Sequence, residues 1–144
     1  MHLKSDAFKE GQPIPSRYTC DGYDDRVPLR LGDAPSNTVS LALVVSDADA
    51  PSGTWYHWVV FNLPPDTRQL EHTLPSGAVE GVASNGKRGW HGPCPPEGSH
   101  RYVWDLYALD TMLDLSSPNA PKLIDAMRGH IIQQASLAGT YQRS

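Results

Sequence analysis

The sequence predicts a mainly β domain, and three observations carry that expectation. Thirteen prolines and twelve glycines are many for 144 residues, and they cut the chain into short extended pieces. Three runs, Val39 to Ser46, Trp55 to Leu63 and His100 to Leu109, are rich in apolar, β-branched or aromatic residues. Only one stretch, APKLIDAMRGHIIQQASLAG from Ala120 to Gly139, repeats apolar residues at helical spacing.

Taken in order, the first elements are weak strand candidates around Tyr18-Thr19 and from Val27 to Leu31. VSLALVVS is almost continuously apolar, which suits a central strand buried on both faces. WYHWVVFNL reads as the next strand and is halted by Pro64-Pro65. The polar, turn-rich stretch from Pro64 to Gly89 predicts an extended surface loop with a short strand near Ala78 to Gly81. In HRYVWDLYAL, His100, Tyr102, Trp104 and Leu106 share one face of a strand, with Arg101, Val103, Asp105 and Tyr107 on the other. Trp58, Phe61 and Trp104 read as core.

The helical pattern carries Leu123, Ile124, Met127, Ile131, Ala135 and Ala138 on one face, with Pro121 in the first turn and Gly139 as a stop. Gly129 inside it costs up to about 1 kcal/mol against alanine, so close packing is expected there, with His130 packed as well. No repeat or linker breaks the chain, and residues 1–144 are read as a single domain.

A net charge of -4 offers no basic field, so nucleic acid is not an expected partner. No apolar run approaches the roughly 20 residues that span a bilayer. MHLKSDAFKEG lacks the apolar core of a signal peptide, which predicts a cytoplasmic protein. In that compartment Cys20 and Cys94 are expected to be separate reduced thiols.

Three segments hold candidate chemistry: SDADAP with Asp47, Asp49 and Pro51; TWYHW with Trp55 and His57; and HGPCPPEGSHRY with His91, Cys94, Pro96, His100 and Tyr102. The short turn APSGT makes the first two strands neighbours and brings the carboxylates and His57 to one end of a sheet, where His100 could join them. Asp49 alone suits loop capping, and Ala50-Pro51 is open to a cis peptide. Asp47, His57 and His100 together suit a pocket walled by Trp55, Tyr102 and Pro95-Pro96.

Three chemistries compete for that pocket. An anion site fits imidazole, phenol and loop amide donors, since a carboxylate beside an imidazole favours its charged form. A metal site could draw on His91, Cys94 and His100 with Cys20 or His57, but the spacing matches no common zinc motif. A serine hydrolase lacks its G-x-S-x-G elbow, and no phosphate loop of the G-x-x-x-x-G-K-[ST] type is present. His2, His72 and His130 are read as structural or solvated.

SDADAPSGTWYHWVVFNLP and GPCPPEGSHRYVWDLYALD resemble the two signature regions of the phosphatidylethanolamine-binding proteins. IPSRYTCDG and AMRGHIIQQASLAGTYQR extend the likeness over nearly the whole chain, toward the bacterial and archaeal Raf kinase inhibitor-like branch. The resemblance implies a central antiparallel β-sheet packed with a smaller sheet and a few peripheral helices. It also implies a small anion pocket at one end of the sheet. By that likeness Asp47, Asp49, Pro51, Trp55, His57, Pro96, His100 and Tyr102 are ligand-binding. Gly92 to Gly98 form the rigid rim that sets His100 and Tyr102 against the anion.

Ala48 departs from the usual proline between the aspartates, the rim before His100 is shorter than in animal members, and the chain lacks room for their extra C-terminal helix, a gap that Tyr141 could partly cover. The expected function is a non-enzymatic binding protein without cofactor or metal, whose ligand is a small anionic or phosphorylated group. The alternative is an inhibitor of a protein kinase or serine protease acting through a surface. A homodimer is plausible from the resemblance alone.

Overall fold

The computed structural model describes residues 1–143. Its strands are β1 (His2–Lys4), β2 (Leu29–Gly32), β3 (Ser40–Asp47), β4 (Trp55–Leu63), β5 (Gln69–Leu70), β6 (Val79–Glu80), β7 (Ser99–Leu109) and β8 (Ile131–Gln142), with one helix, α1 (Ala120–Met127), before the last. Five strands form an antiparallel sheet in the order β6-β4-β3-β7-β8, and three form a smaller antiparallel sheet in the order β1-β2-β5.

The central position of β3 explains its continuous apolar sequence. Successive side chains point to opposite faces, and here both faces are covered. Leu41, Leu43 and Val45 enter a core shared with Leu29, Leu31 and Leu70 of the smaller sheet. Ala42 and Val44 face the other way, onto Val59 and Phe61 of β4 and onto Leu123 and Met127 of α1. Trp58 and Trp104 are buried on the first side, and Phe61 on the second.

The predicted twenty-residue helix is less than half realised. Asn119 caps α1 by accepting from Lys122 N–H at 2.9 Å, and Pro121 sits in the first turn, as expected. The helix then ends at Met127. Gly129 adopts φ +78°, a left-handed conformation that suits glycine and turns the chain back. Gly129 therefore ends the helix, and nothing packs closely on it. His130 is half-exposed and pairs with Asp110 at 2.8 Å instead of packing inward.

From Ile131 onward the chain pairs with β7 along its length, from Ile131 opposite Leu109 to Gln142 opposite Ser99. Weak helical preference has given way to a ladder that an eleven-residue partner strand offers. The far edge of β8 is covered in turn by residues 11–14: Gly11 N–H donates to Ala138 C=O at 2.8 Å, and Ile14 N–H to Thr140 C=O at 2.7 Å. Gly139 lies beneath that cover, where an added Cβ would stand 2.6 Å from Phe8 and 2.8 Å from Ile14.

Elsewhere the expectations shift by small amounts. Tyr18 closes a single 3-10 turn, Ser16–Tyr18, in place of a strand. The candidate at Val27 to Leu31 becomes β2, two residues later. The loop from Pro64 contributes β5 as well as the expected short strand, β6. No peptide bond among the described residues is cis, Ala50-Pro51 included.

Candidate functional site

Three strand ends build the site. β3 lies between β4 and β7, and the register sets Asp47 opposite Trp55 on one side and Tyr102 on the other. His100 precedes Tyr102 by two residues, so both project from the same face of β7. His57 reaches that face by a different route. Val45 pairs with Trp58 and Ser46 with Tyr56, which leaves His57 as an extra, unpaired residue in β4. Such a bulge re-aims a side chain. Here it lets the consecutive residues His57 and Trp58 serve the same side of the sheet, one in the site and one in the core.

The side chains surround a cavity of about 340 Å³ lined by Asp47, Ala50, Pro51, Ser52, Trp55, His57, His91, Gly92, Cys94, Pro95, Pro96, His100 and Tyr102. Asp47, His57, His100 and Tyr102 are all at least nine-tenths buried. His100 Nδ1–H donates to Asp47 Oδ2 at 2.6 Å, while Asp47 Oδ1 accepts from Asp49 N–H at 2.8 Å. The first bond leaves Nε2 as the ring nitrogen of His100 free for a ligand. Tyr102 is pushed well above the usual phenol range, first by burial and then by the Asp47 charge.

Asp49 is the one predicted binding residue that lies outside the cavity. Its carboxylate accepts from Arg101 N–H at 2.9 Å, which ties the turn after β3 to the start of β7. The short reach to that backbone amide is why it caps a loop. The remaining seven predicted residues line the cavity together.

Two histidines are held neutral by what surrounds them. His57 Nδ1–H donates to the His91 carbonyl at 2.8 Å, and burial pulls His57 down from 6.5 to about 4. Trp55 Nε1–H, which can only donate, donates to His91 Nε2 at 2.7 Å. The His91 proton therefore sits on Nδ1, which is buried without a partner among the described residues. Burial lowers His91 as well.

The rim that carries His91 is anchored to a loop far away in sequence. Cys20 and Cys94 form a disulfide with their Cα atoms 5.4 Å apart, so the expected pair of reduced thiols is corrected. The two sulfurs are brought together because the rim packs on residues 18–24, a contact that no local pattern announces. Asp24 adds two more ties: its carboxylate accepts from Gly92 N–H at 2.7 Å and its carbonyl from Trp90 Nε1–H at 3.0 Å. With its sulfur in a disulfide, Cys94 has no thiolate for the metal set considered above. Tyr141 does not roof the cavity; its hydroxyl donates to Asp21 Oδ2 at 2.5 Å and braces the Cys20 loop from outside.

The sequence profile of "Phosphatidylethanolamine-binding protein" matches residues 4–142. The chain belongs to the phosphatidylethanolamine-binding protein family.

Two relatives match over almost their whole length. A UPF0098 protein of Methanothermobacter thermautotrophicus is 49% identical, covering 99% of each chain. One from Chlamydia muridarum is 42% identical with the same coverage. Among solved structures, a putative phosphatidylethanolamine-binding protein homologue from Chlamydia trachomatis superposes with a TM-score of 0.94 at 40% identity, covering 99% of this chain and 97% of its own. Escherichia coli YbcL, titled a new member of the mammalian family, gives 0.93 at 27% identity, covering 99% and 98%. The mainly β, two-sheet fold implied by the resemblance is thus the fold of its neighbours.

Within this family member, sequence reasoning missed His91 and Asp24 as site-forming residues. In the sequence His91 stands out only as a metal candidate beside Cys94, a spacing that carries no sign of the bond its carbonyl accepts. Asp24 lies in a polar run, DGYDD, without distinguishing pattern. Its φ of +57° marks it in the structure.

Proposed function

We propose that the chain is a non-enzymatic binding protein whose cavity at the end of the large sheet accepts a small anionic or phosphorylated group. The observation that carries this reading is the buried Asp47–His100 pair at 2.6 Å, opening on an otherwise largely apolar cavity. In its imidazolium form His100 donates from Nδ1 to Asp47 and presents Nε2–H, a charge-assisted donor suited to a phosphate oxygen. Asp47 positions the ring; Trp55, Pro51, Pro95 and Pro96 wall the space. A lone phosphate held by so few bonds binds weakly, and a larger ligand gains from the walls.

The test is an NMR titration with inorganic phosphate. Shifts clustered at Asp47, His57, His100 and Tyr102 are expected in the natural protein, and none at those sites in His100→Ala. Unchanged shifts in that variant overturn the assignment. Retention of a protein partner that excess phosphate leaves undisturbed would move the function to another face.

A further inference from the structure

We propose that the cavity takes a phosphate monoester as its singly protonated anion, the ligand's P–O–H donating to His57 Nε2. The proposal rests on the anion-site reading above and specifies which anion fits.

The argument begins with His57. Its Nδ1 faces the His91 carbonyl at 2.8 Å, and a carbonyl only accepts, so the ring proton sits on Nδ1 and Nε2 keeps a lone pair. The bond to the His91 carbonyl is the one hydrogen bond of the His57 ring among the described residues. From the rim, His91 turns its own Nε2 to Trp55 and is neutral in that arrangement. From β3 comes the Asp47 carboxylate, already engaged by His100 and Asp49 N–H. From β7 come His100 and Tyr102, the latter a protonated phenol influenced by Asp47. Asp24 and Asp49 stand behind, bonded to the backbone of Gly92 and Arg101. Burial reinforces the neutral state of His57.

A fully deprotonated oxygen beside His57 Nε2 sets lone pair against lone pair inside a desolvated cavity. A protonated phosphate oxygen turns the same contact into a hydrogen bond, while the other oxygens remain for His100 Nε2–H. Sulfate and phosphodiesters bring no such proton. With His100 already an imidazolium, one proton enters with each dianion bound, whether the shared proton rests on oxygen or on nitrogen; a His100 that starts neutral takes up a further one. The second ionisation of a phosphomonoester lies at about 6, so affinity falls at least roughly tenfold per pH unit well above that value.

The experiment is calorimetry with methyl phosphate, dimethyl phosphate and sulfate at pH 6 and pH 8, in buffers of different ionisation heat. Methyl phosphate at pH 8 is expected to carry in about one proton more in the natural protein than in His57→Gln. Dimethyl phosphate and sulfate are expected to bind at least about tenfold more weakly at pH 6. His57→Gln, whose amide nitrogen can donate, should take up about one proton fewer and gain sulfate binding. The selectivity of the natural protein decides the matter even if that variant fails to fold.

Binding of methyl phosphate without proton uptake, equal binding of dimethyl phosphate, or undiminished uptake in folded His57→Gln each overturns the proposal while leaving an anion site. Failure of all three probes at both pH values overturns the anion site too. Phosphatidylcholine vesicles with and without phosphatidate separate a lipid monoester from a free one; uptake of a proton on capture supports the proposal in either setting, and capture without it overturns it.

Discussion

Asp47 serves two partners at once, His100 Nδ1–H through one oxygen and Asp49 N–H through the other. Asp47→Ala strips both, leaving buried donors unpaired at about 1–3 kcal/mol each. The expected outcome is a lower midpoint in urea together with loss of the phosphate-induced shifts; an unchanged midpoint would show that the pair carries no stability. His57 makes a pH-dependent contribution. Its folded value of about 4 lies below its ordinary 6.5, so between those values the unfolded chain binds a proton that the fold refuses. Stability from this ring is present above pH 6.5 and is lost as pH falls toward 4, by about 3 kcal/mol. Denaturation series from pH 7 to pH 4 should show the loss, and His57→Gln should reduce it.

At the scale of elements, the strands that position the site were legible in the sequence and the last one was not. β3, β4 and β7 announce themselves because burial on one or both faces leaves apolar and aromatic runs. Asp47, His57 and His100 were legible because each stands at the end of such a run. The bulge at His57 was not, since it depends on how β4 registers against β3. β8 reads as helix in the sequence because Leu123, Met127 and Ile131 continue a helical spacing across Gly129, and only pairing with β7 resolves the ambiguity. β8 also makes its own prediction. Gly139→Ala would push a methyl group against Phe8 and Ile14, and overpacking of this kind costs about 1–3 kcal/mol. A chemical denaturation midpoint measures it, and no change would mean that residues 11–14 yield easily.

For the molecule as a whole, the disulfide joins positions 74 residues apart and binds the first quarter of the chain to the rim of the cavity. In the chain-entropy account, closing a loop of that size stabilises by about 4 kcal/mol. Replacing both cysteines by serine should lower the melting temperature and weaken phosphate binding, because the rim keeps only hydrogen bonds, those to Asp24 and the one that Pro93 C=O accepts from the residue 20 N–H. If stability drops while binding is untouched, these hydrogen bonds set the rim without the disulfide. The pairing was hidden because the two cysteines lie 74 residues apart and their loops meet only after the sheet is assembled. No helix among the described residues is long and apolar enough to cross a membrane.

The covering of β8 by residues 11–14 has a consequence for crowded solutions. The covering bonds engage β8 at Ala138 and Thr140, and the opposite flank of that sheet is β6, only two residues long, so each border offers a shortened template for lateral strand addition. Strand pairing with a second copy is thereby blocked along the last rungs of the ladder beside the cavity, where Ala138 and Thr140 already have backbone partners.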